Sequence, residues 1–174
     1  MQAGERVGAK YYTFHGPARI KRTPITINFE RTAKITQRII DEIARYGIAL
    51  AYENVHWCYY NYVGYFNELK KRTEGLKSTL DIKQARQSGI DAYDLIEEMG
   101  DSIVTVHLSD VDKNGKMCLP GRGVTNFDTL FLRLLDNGFD GAFLVDVYQN
   151  DFTEYKELFE SYQFIVDKAK RYFK

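Results

Sequence analysis

Four residues able to bind a divalent cation each close a short apolar segment of this chain. They are Glu53 after IALAY, Asp81 after LKSTL, His107 after IVTV and Asp146 after AFLV. The intervals are 28, 26 and 39 residues, about one strand-plus-helix unit each. Strands hold the side chains at their ends stiffly, and parallel strands deliver all such ends to one edge. Three carboxylates and one imidazole converging there would make a site for Mn²⁺, Mg²⁺, Co²⁺ or Zn²⁺, since the donors are mostly hard. The pattern is that of an enzyme, or of the remnant of one.

Five strands must position these ends. The first is AKYYTFHG, residues 9–16, and a helix near 29–46 follows, with Ile35, Ile39, Ile40 and Ile43 on one face. The second strand, IALAYENV, runs through an aromatic loop into a helix near 62–72. The third, LKSTLDI, is followed by a helix opening at Asp91, a good N-cap, and closing at Gly100. The fourth, SIVTVHLSD, leads into the long polar loop VDKNGKMCLPGRGVT and then a helix carrying Phe127, Leu130, Phe131, Leu134 and Leu135. The fifth, GAFLVDVY, precedes a terminal helix expected to turn Tyr155, Leu158, Phe159, Tyr162, Ile165, Val166 and Ala169 inward. Strict alternation of strand and helix gives an α/β fold, a parallel sheet wrapped by helices. No GxGxxG turn or P-loop is present, which argues against a dinucleotide or nucleotide fold.

The 174 residues, 44% of them hydrophobic, suffice for one globular domain spanning 1–174. Lys and Arg balance Asp and Glu at 24 each, so charge offers no track for nucleic acid. No apolar run approaches the ~20 residues needed to span a bilayer, and the N-terminus lacks a signal-peptide core. Cys58 and Cys118 have no metal-binding spacing and read as two reduced thiols of a cytoplasmic protein. The many aromatics, Tyr59, Tyr60, Tyr62, Tyr65 and Phe66 among them, read mainly as packing.

HGP at 15–17, ENV at 53–55, LDIKQARQSGID at 80–91, VHLSD at 106–110, LPGRG at 119–123 and DVY at 146–148 together resemble the xylose-isomerase-like superfamily. That group holds sugar-phosphate isomerases and epimerases, inosose dehydratase-like enzymes and endonuclease IV. The resemblance implies a (β/α)8 TIM barrel, a fold of ~250 residues. Its metal ligands come from the fifth to eighth strands, so this chain matches a partial barrel of about five βα units, the fourth to the eighth. Five strands leave two open edges and an uncovered interior, so a homo-oligomer is expected. A longer natural reading frame is the alternative.

The resemblance further implies that Glu53, Asp81, His107 and Asp146 bind the metal, with Glu53 and Asp146 moving a proton on either face of a small sugar or polyol. Asp146 stands where the family usually has Glu, and Gln84 where many members have His. His15, His56, Lys83, Gln84 and Arg122 are the candidate substrate contacts, while Asp110 and Asp112 are expected to order the loop after the fourth strand. The function expected is a sugar phosphate isomerase/epimerase-like activity on a ketose, polyol or inosose-type substrate. The alternative is a non-catalytic barrel fragment acting through partner contacts. An endonuclease-IV-like enzyme needs a histidine-rich zinc cluster, and this chain has three histidines with none beyond His107.

Overall fold

The computed structural model describes residues 2–173. In chain order the elements are α1 (Gln2–Arg6), β1 (Tyr11–Phe14), α2 (Phe29–Ala44), β2 (Ala49–Glu53), α3 (Tyr65–Lys70), β3 (Lys77–Asp81), α4 (Ile82–Gln87), α5 (Ala92–Met99) and β4 (Ile103–Leu108). There follow β5 (Asp110–Val111), β6 (Met117–Cys118), α6 (Phe127–Asp136), β7 (Ala142–Val145) and α7 (Tyr155–Ala169). The main sheet is parallel throughout, in the order β1-β2-β3-β4-β7, with β1 and β7 as its edges. Five parallel strands flanked by helices make a half-barrel, the partial TIM barrel expected from the sequence.

The concave face carries small residues. Ala51 and Thr79 are buried there, and Thr13 of β1 reaches across β2 to the hydroxyl of Thr79 at 3.3 Å. The convex face carries the core. Leu50, Tyr52, Leu80, Val106 and Leu108 pack in one buried cluster with Ile40, Ile43, Phe66, Leu69, Leu95, Ile96, Phe131 and Leu134 from the helices. Much of the aromatic content serves this packing: Tyr60 stacks on Tyr65 at 5.0 Å, and the Tyr52 and Tyr65 hydroxyls share a 2.9 Å hydrogen bond.

Local capping sets the helix starts. Asn28, Asp81, Asp91 and Asn126 each accept a backbone N–H two or three residues on, as N-caps do. The helix expected to open at Asp91 does so. An additional helix, α4, starts straight after Asp81, where the sequence reading ran the strand on to Ile82. The loop after β4, read as irregular, contains the antiparallel pair β5–β6. Asp110 organises it by accepting from the backbone N–H groups of Val111, Gly121, Gly123 and Thr125 at 2.8–3.1 Å.

Two helix faces differ from expectation. On α2, Ile35 is 49% exposed and Thr32, Ala33 and Thr36 are buried beside Ile40 and Ile43. On α7, Tyr155, Phe159 and Tyr162 are 77, 71 and 59% exposed, and the helix docks instead through Ser161 and Ile165. At the other end of the sheet from β1, β7 is the last strand in the order among the described residues. Among the described residues, no helix is long and apolar enough to cross a membrane.

Candidate metal centre

Strand alternation puts Glu53, Asp81 and His107 on the concave face, at or near the C-terminal ends of β2, β3 and β4, and the register sets Asp81 opposite His107. Asp146 follows β7 directly, and its N–H continues the ladder to the Leu108 carbonyl at 2.8 Å. The sheet therefore brings together all four strand-end residues.

His107 Nδ1 is the centre of the group. It lies 3.0 Å from Glu53 Oε1, 3.7 Å from Asp81 Oδ2 and 3.8 Å from Asp146 Oδ2. One donor atom each from Glu53, Asp81 and His107 lies within 4.8 Å of the other two. Two ligands on one ion at ~2.2 Å are at most ~4.4 Å apart, so small side-chain adjustments satisfy a shared ion. Two buried oxygens of these carboxylates, Glu53 Oε2 and Asp81 Oδ2, have no hydrogen-bond donor. Buried carboxylate oxygens without partners are costly, and a cation between them removes that cost. The donor set fits a divalent ion.

Each ligand is oriented by a neighbour. Asp81 divides its carboxylate: Oδ1 caps α4 by accepting from Gln84 N–H at 2.9 Å, while Oδ2 faces the centre. The Asn54 side chain clamps the Asp81 backbone from β2, donating to its carbonyl and accepting from its N–H, both at 2.8 Å. Asn54 is buried and was missed as a site residue in the sequence; its place in the ENV motif was the signal. His15 Nε2 lies 2.9 Å from Glu53 Oε2, off the direction a hydrogen bond requires. Gly16 behind it has φ +71°, and a Cβ there would fall 1.8 Å from the Tyr52 hydroxyl. Only glycine lets the HGP turn present His15 this way.

His56 and Gln84 hold each other. Gln84 Oε1 accepts the His56 backbone N–H at 3.1 Å and lies 2.6 Å from His56 Nδ1. Because the backbone donor identifies Oε1 as the acceptor, Nδ1 donates to it, and Nε2 is the ring nitrogen outside this pair. Trp57 meets the His15 ring edge-on at 5.7 Å. Lys83 is buried, with its ammonium 2.9 Å from Asp146 Oδ2 and 4.4 Å from the centre of the Tyr148 ring. Arg122 is directed elsewhere. Its guanidinium pairs with Glu157 and with Glu160 at 3.2 Å on α7. Ser161 donates to the Pro120 carbonyl at 3.0 Å, and a Cβ on Gly121, at φ +90°, would press into the Phe164 ring at 2.8 Å. The LPGRG segment is thus a seat for the terminal helix.

Burial by itself pulls the His107 pKa down, but the Asp81 and Glu53 carboxylates outweigh it and push the value up to about 9. Burial likewise opposes the Lys83 ammonium, and Asp146 and Asp81 more than offset it, so its pKa is raised. The buried Cys58 thiol is pushed up to about 11, by burial first and then by Glu53, which keeps it from acting as a thiolate nucleophile.

The sequence profile of the xylose isomerase-like TIM barrel family matches residues 1–167. No curated protein matches the chain in sequence. Among solved structures, the chain superposes on the IOLI protein with a bound zinc atom at a TM-score of 0.78 and 18% identity, covering 99% of this chain and 67% of that one. It superposes on an L-ribulose 3-epimerase at 0.76 and 16% identity, covering 98% and 64%. With a xylose isomerase domain-containing protein from Salmonella typhimurium the values are 0.73 and 19%, covering 97% and 66%. At these identities the likeness is one of fold. The chain spans about two thirds of the length of these structures.

Proposed function

The chain belongs to the xylose isomerase-like TIM barrel family, and from that premise we propose that it serves a divalent-metal-dependent isomerase or epimerase reaction on a ketose, polyol or inosose-type substrate. The observation that carries this reading is the convergence of Glu53 Oε1 and Asp81 Oδ2 on His107 Nδ1, at 3.0 and 3.7 Å, by carboxylates that each keep one buried oxygen without a hydrogen-bond donor. Glu53, Asp81 and His107 would hold the ion, with Asp146 as the fourth residue that the resemblance assigns to it. When bound, the ion supplies Lewis-acid polarisation of neighbouring substrate oxygens.

The chain's own residues supply the rest. Glu53 and Asp146 stand on different sides of His107, so each is a candidate to take or return the proton on a carbon next to a carbonyl. Of the two, Asp146 is the more open, at 35% side-chain exposure against 4% for Glu53. His56 Nε2, His15 and the Lys83 ammonium are the candidate contacts for hydroxyls or a phosphate. Gln84 acts on the substrate through His56.

The proposal extends to assembly and location. Tyr11 and Tyr12 on one edge strand and Leu144 on the other are exposed apolar groups, as are the aromatics of the α7 stripe, and further copies of this chain would cover them. Two free thiols accord with the cytoplasm.

The test is a Mn²⁺ titration of the chain beside a Glu53→Gln/His107→Ala double variant, followed by a screen of ketoses and inososes. Stoichiometric binding that the variant loses supports the site. Equal binding by both overturns it, and the chain is then a barrel fragment acting through its contacts.

A further inference from the structure

Among the described residues, Lys83 is the ammonium brought into the carboxylate cluster, and it follows the candidate ligand Asp81 by two residues on the first turn of α4. Its side chain is 4% exposed, and its hydrogen bond at 2.9 Å goes to Asp146 Oδ2. That oxygen is the one that faces the centre, 3.8 Å from His107 Nδ1. The Tyr148 ring, two residues after Asp146, lies against the same ammonium at 4.4 Å, so Lys83 is gripped from both sides by the segment that follows β7. Asp146 is also absent from the set of donor atoms within 4.8 Å of one another, which contains only Glu53, Asp81 and His107. Its side chain is one methylene shorter than a glutamate, which limits how far it can reach past Lys83.

Charge favours the same division. Glu53, Asp81 and Asp146 bring three negative charges and Lys83 one positive, so a divalent ion beside a neutral His107 leaves the cluster uncharged. Buried charges persist where they are paired in this way. Removal of Lys83 would leave one carboxylate uncompensated and free to turn to the ion.

We infer that Lys83 is a positioning residue that divides the three acids and one imidazole three to one: Glu53, Asp81 and His107 hold the ion, and Lys83 keeps Asp146 outside its coordination sphere. The ion then keeps more positions open for substrate oxygens, and Asp146 remains an unligated base with a fixed cation beside it. This rests on the metal-site reading above and replaces the fourth ligand that the resemblance implies with a three-residue site.

The experiment is a Mn²⁺ affinity cycle on the folded full chain, checked by circular dichroism, with wild type, Asp81→Asn, Asp146→Asn, Lys83→Met, Lys83→Arg and Lys83→Met/Asp146→Asn. Both asparagine variants retain an oxygen that can accept the native hydrogen bond, from Gln84 N–H or from Lys83. Asp81→Asn is expected to weaken binding at least ~100-fold and Asp146→Asn less than ~3-fold. Lys83→Met should tighten binding ~10-fold or more by releasing Asp146 to the ion, the double variant should return to the wild-type value, and Lys83→Arg should stay near it. A purely structural lysine would not produce that reversal. If Asp146→Asn alone weakens binding as much as Asp81→Asn, or if Lys83→Met tightens binding equally with and without Asp146, the division is wrong while the metal site stands. If wild type binds no Mn²⁺, the metal-site reading itself fails and takes this inference with it.

Discussion

The side chain of Asn54 and the backbone of Asp81 are joined by two hydrogen bonds of 2.8 Å, one in each direction, across the ends of β2 and β3. Asp81 caps α4 with one oxygen and faces His107 with the other, so whatever holds its backbone aims a ligand. Asn54→Ala leaves a buried N–H and a buried carbonyl without partners, at ~1–3 kcal/mol for each. The expected loss is about 2–4 kcal/mol in urea denaturation, with Mn²⁺ affinity lower by ~10–100-fold, the range for residues that orient metal ligands. A variant with wild-type stability and affinity would show that the clamp does not position Asp81.

The His107 pKa gives a signed pH dependence. Its folded value, about 9, lies above the ordinary 6.5. Its protonated ring therefore adds stability to the metal-free fold that is fully present below pH 6.5 and is lost as pH rises through 9. A metal must displace that proton, so Mn²⁺ affinity should rise with pH up to about 9 and binding at pH 7 should release a proton. Histidine proton resonances followed through the titration, with His107→Ala as the assignment control, check the value. A His107 midpoint at or below 6.5 would contradict it.

The terminal helix should respond to acid. Glu157 accepts from the backbone N–H groups of Glu154 and Thr153 and from the Thr153 hydroxyl, and pairs with Arg122. The Glu154 N–H first, then Thr153 and Arg122, hold its pKa at about 2, below the ordinary 4.5. Its contribution is present above pH 4.5 and disappears as pH falls through 2. Hydrogen exchange over 153–162 should accelerate in that window for wild type, and Glu157→Gln should show the faster exchange already at pH 7. Arg122→Ala should loosen the same segment and leave metal affinity unchanged.

Self-association should depend on the α7 stripe. Replacing Tyr155, Phe159 and Tyr162 with Ser removes three aromatics that are mostly exposed in the single chain, so the stability of the monomer should move little, within ~0.5 kcal/mol per site. Burying such rings between copies is worth ~1.5–3 kcal/mol each. Sedimentation velocity should therefore show the triple variant dissociating at concentrations at least ~10-fold above those at which wild type does. A wild type that is monomeric at all concentrations would remove the basis for the assembly proposal.

Much of the architecture was legible because it is written in short-range patterns. Alternating strand and helix periods gave the parallel sheet wrapped by helices, the family resemblance implied the partial barrel, and Asp91 marked a helix start through its own backbone geometry. Polar residues at the ends of four apolar segments gave the centre, because parallel strands carry their C-terminal ends to one edge whatever lies between. Asp110 belonged to its loop in the sequence and does so in the fold. Other assignments depended on which distant groups meet. Arg122 had the chemistry of a substrate contact, but the approach of α7 supplied two carboxylates 35 and 38 residues away. Lys83 reached Asp146 across 63 residues, and Asn54 reached Asp81 across 27. Tyr155, Phe159 and Tyr162 have the spacing of a buried stripe, yet periodicity identifies an apolar face without naming the surface that covers it. The type and order of the candidate ligands could be read before folding, since strand ends are a local property. Which charges pair and which faces stay open could not, because both depend on separations between elements that meet only on folding.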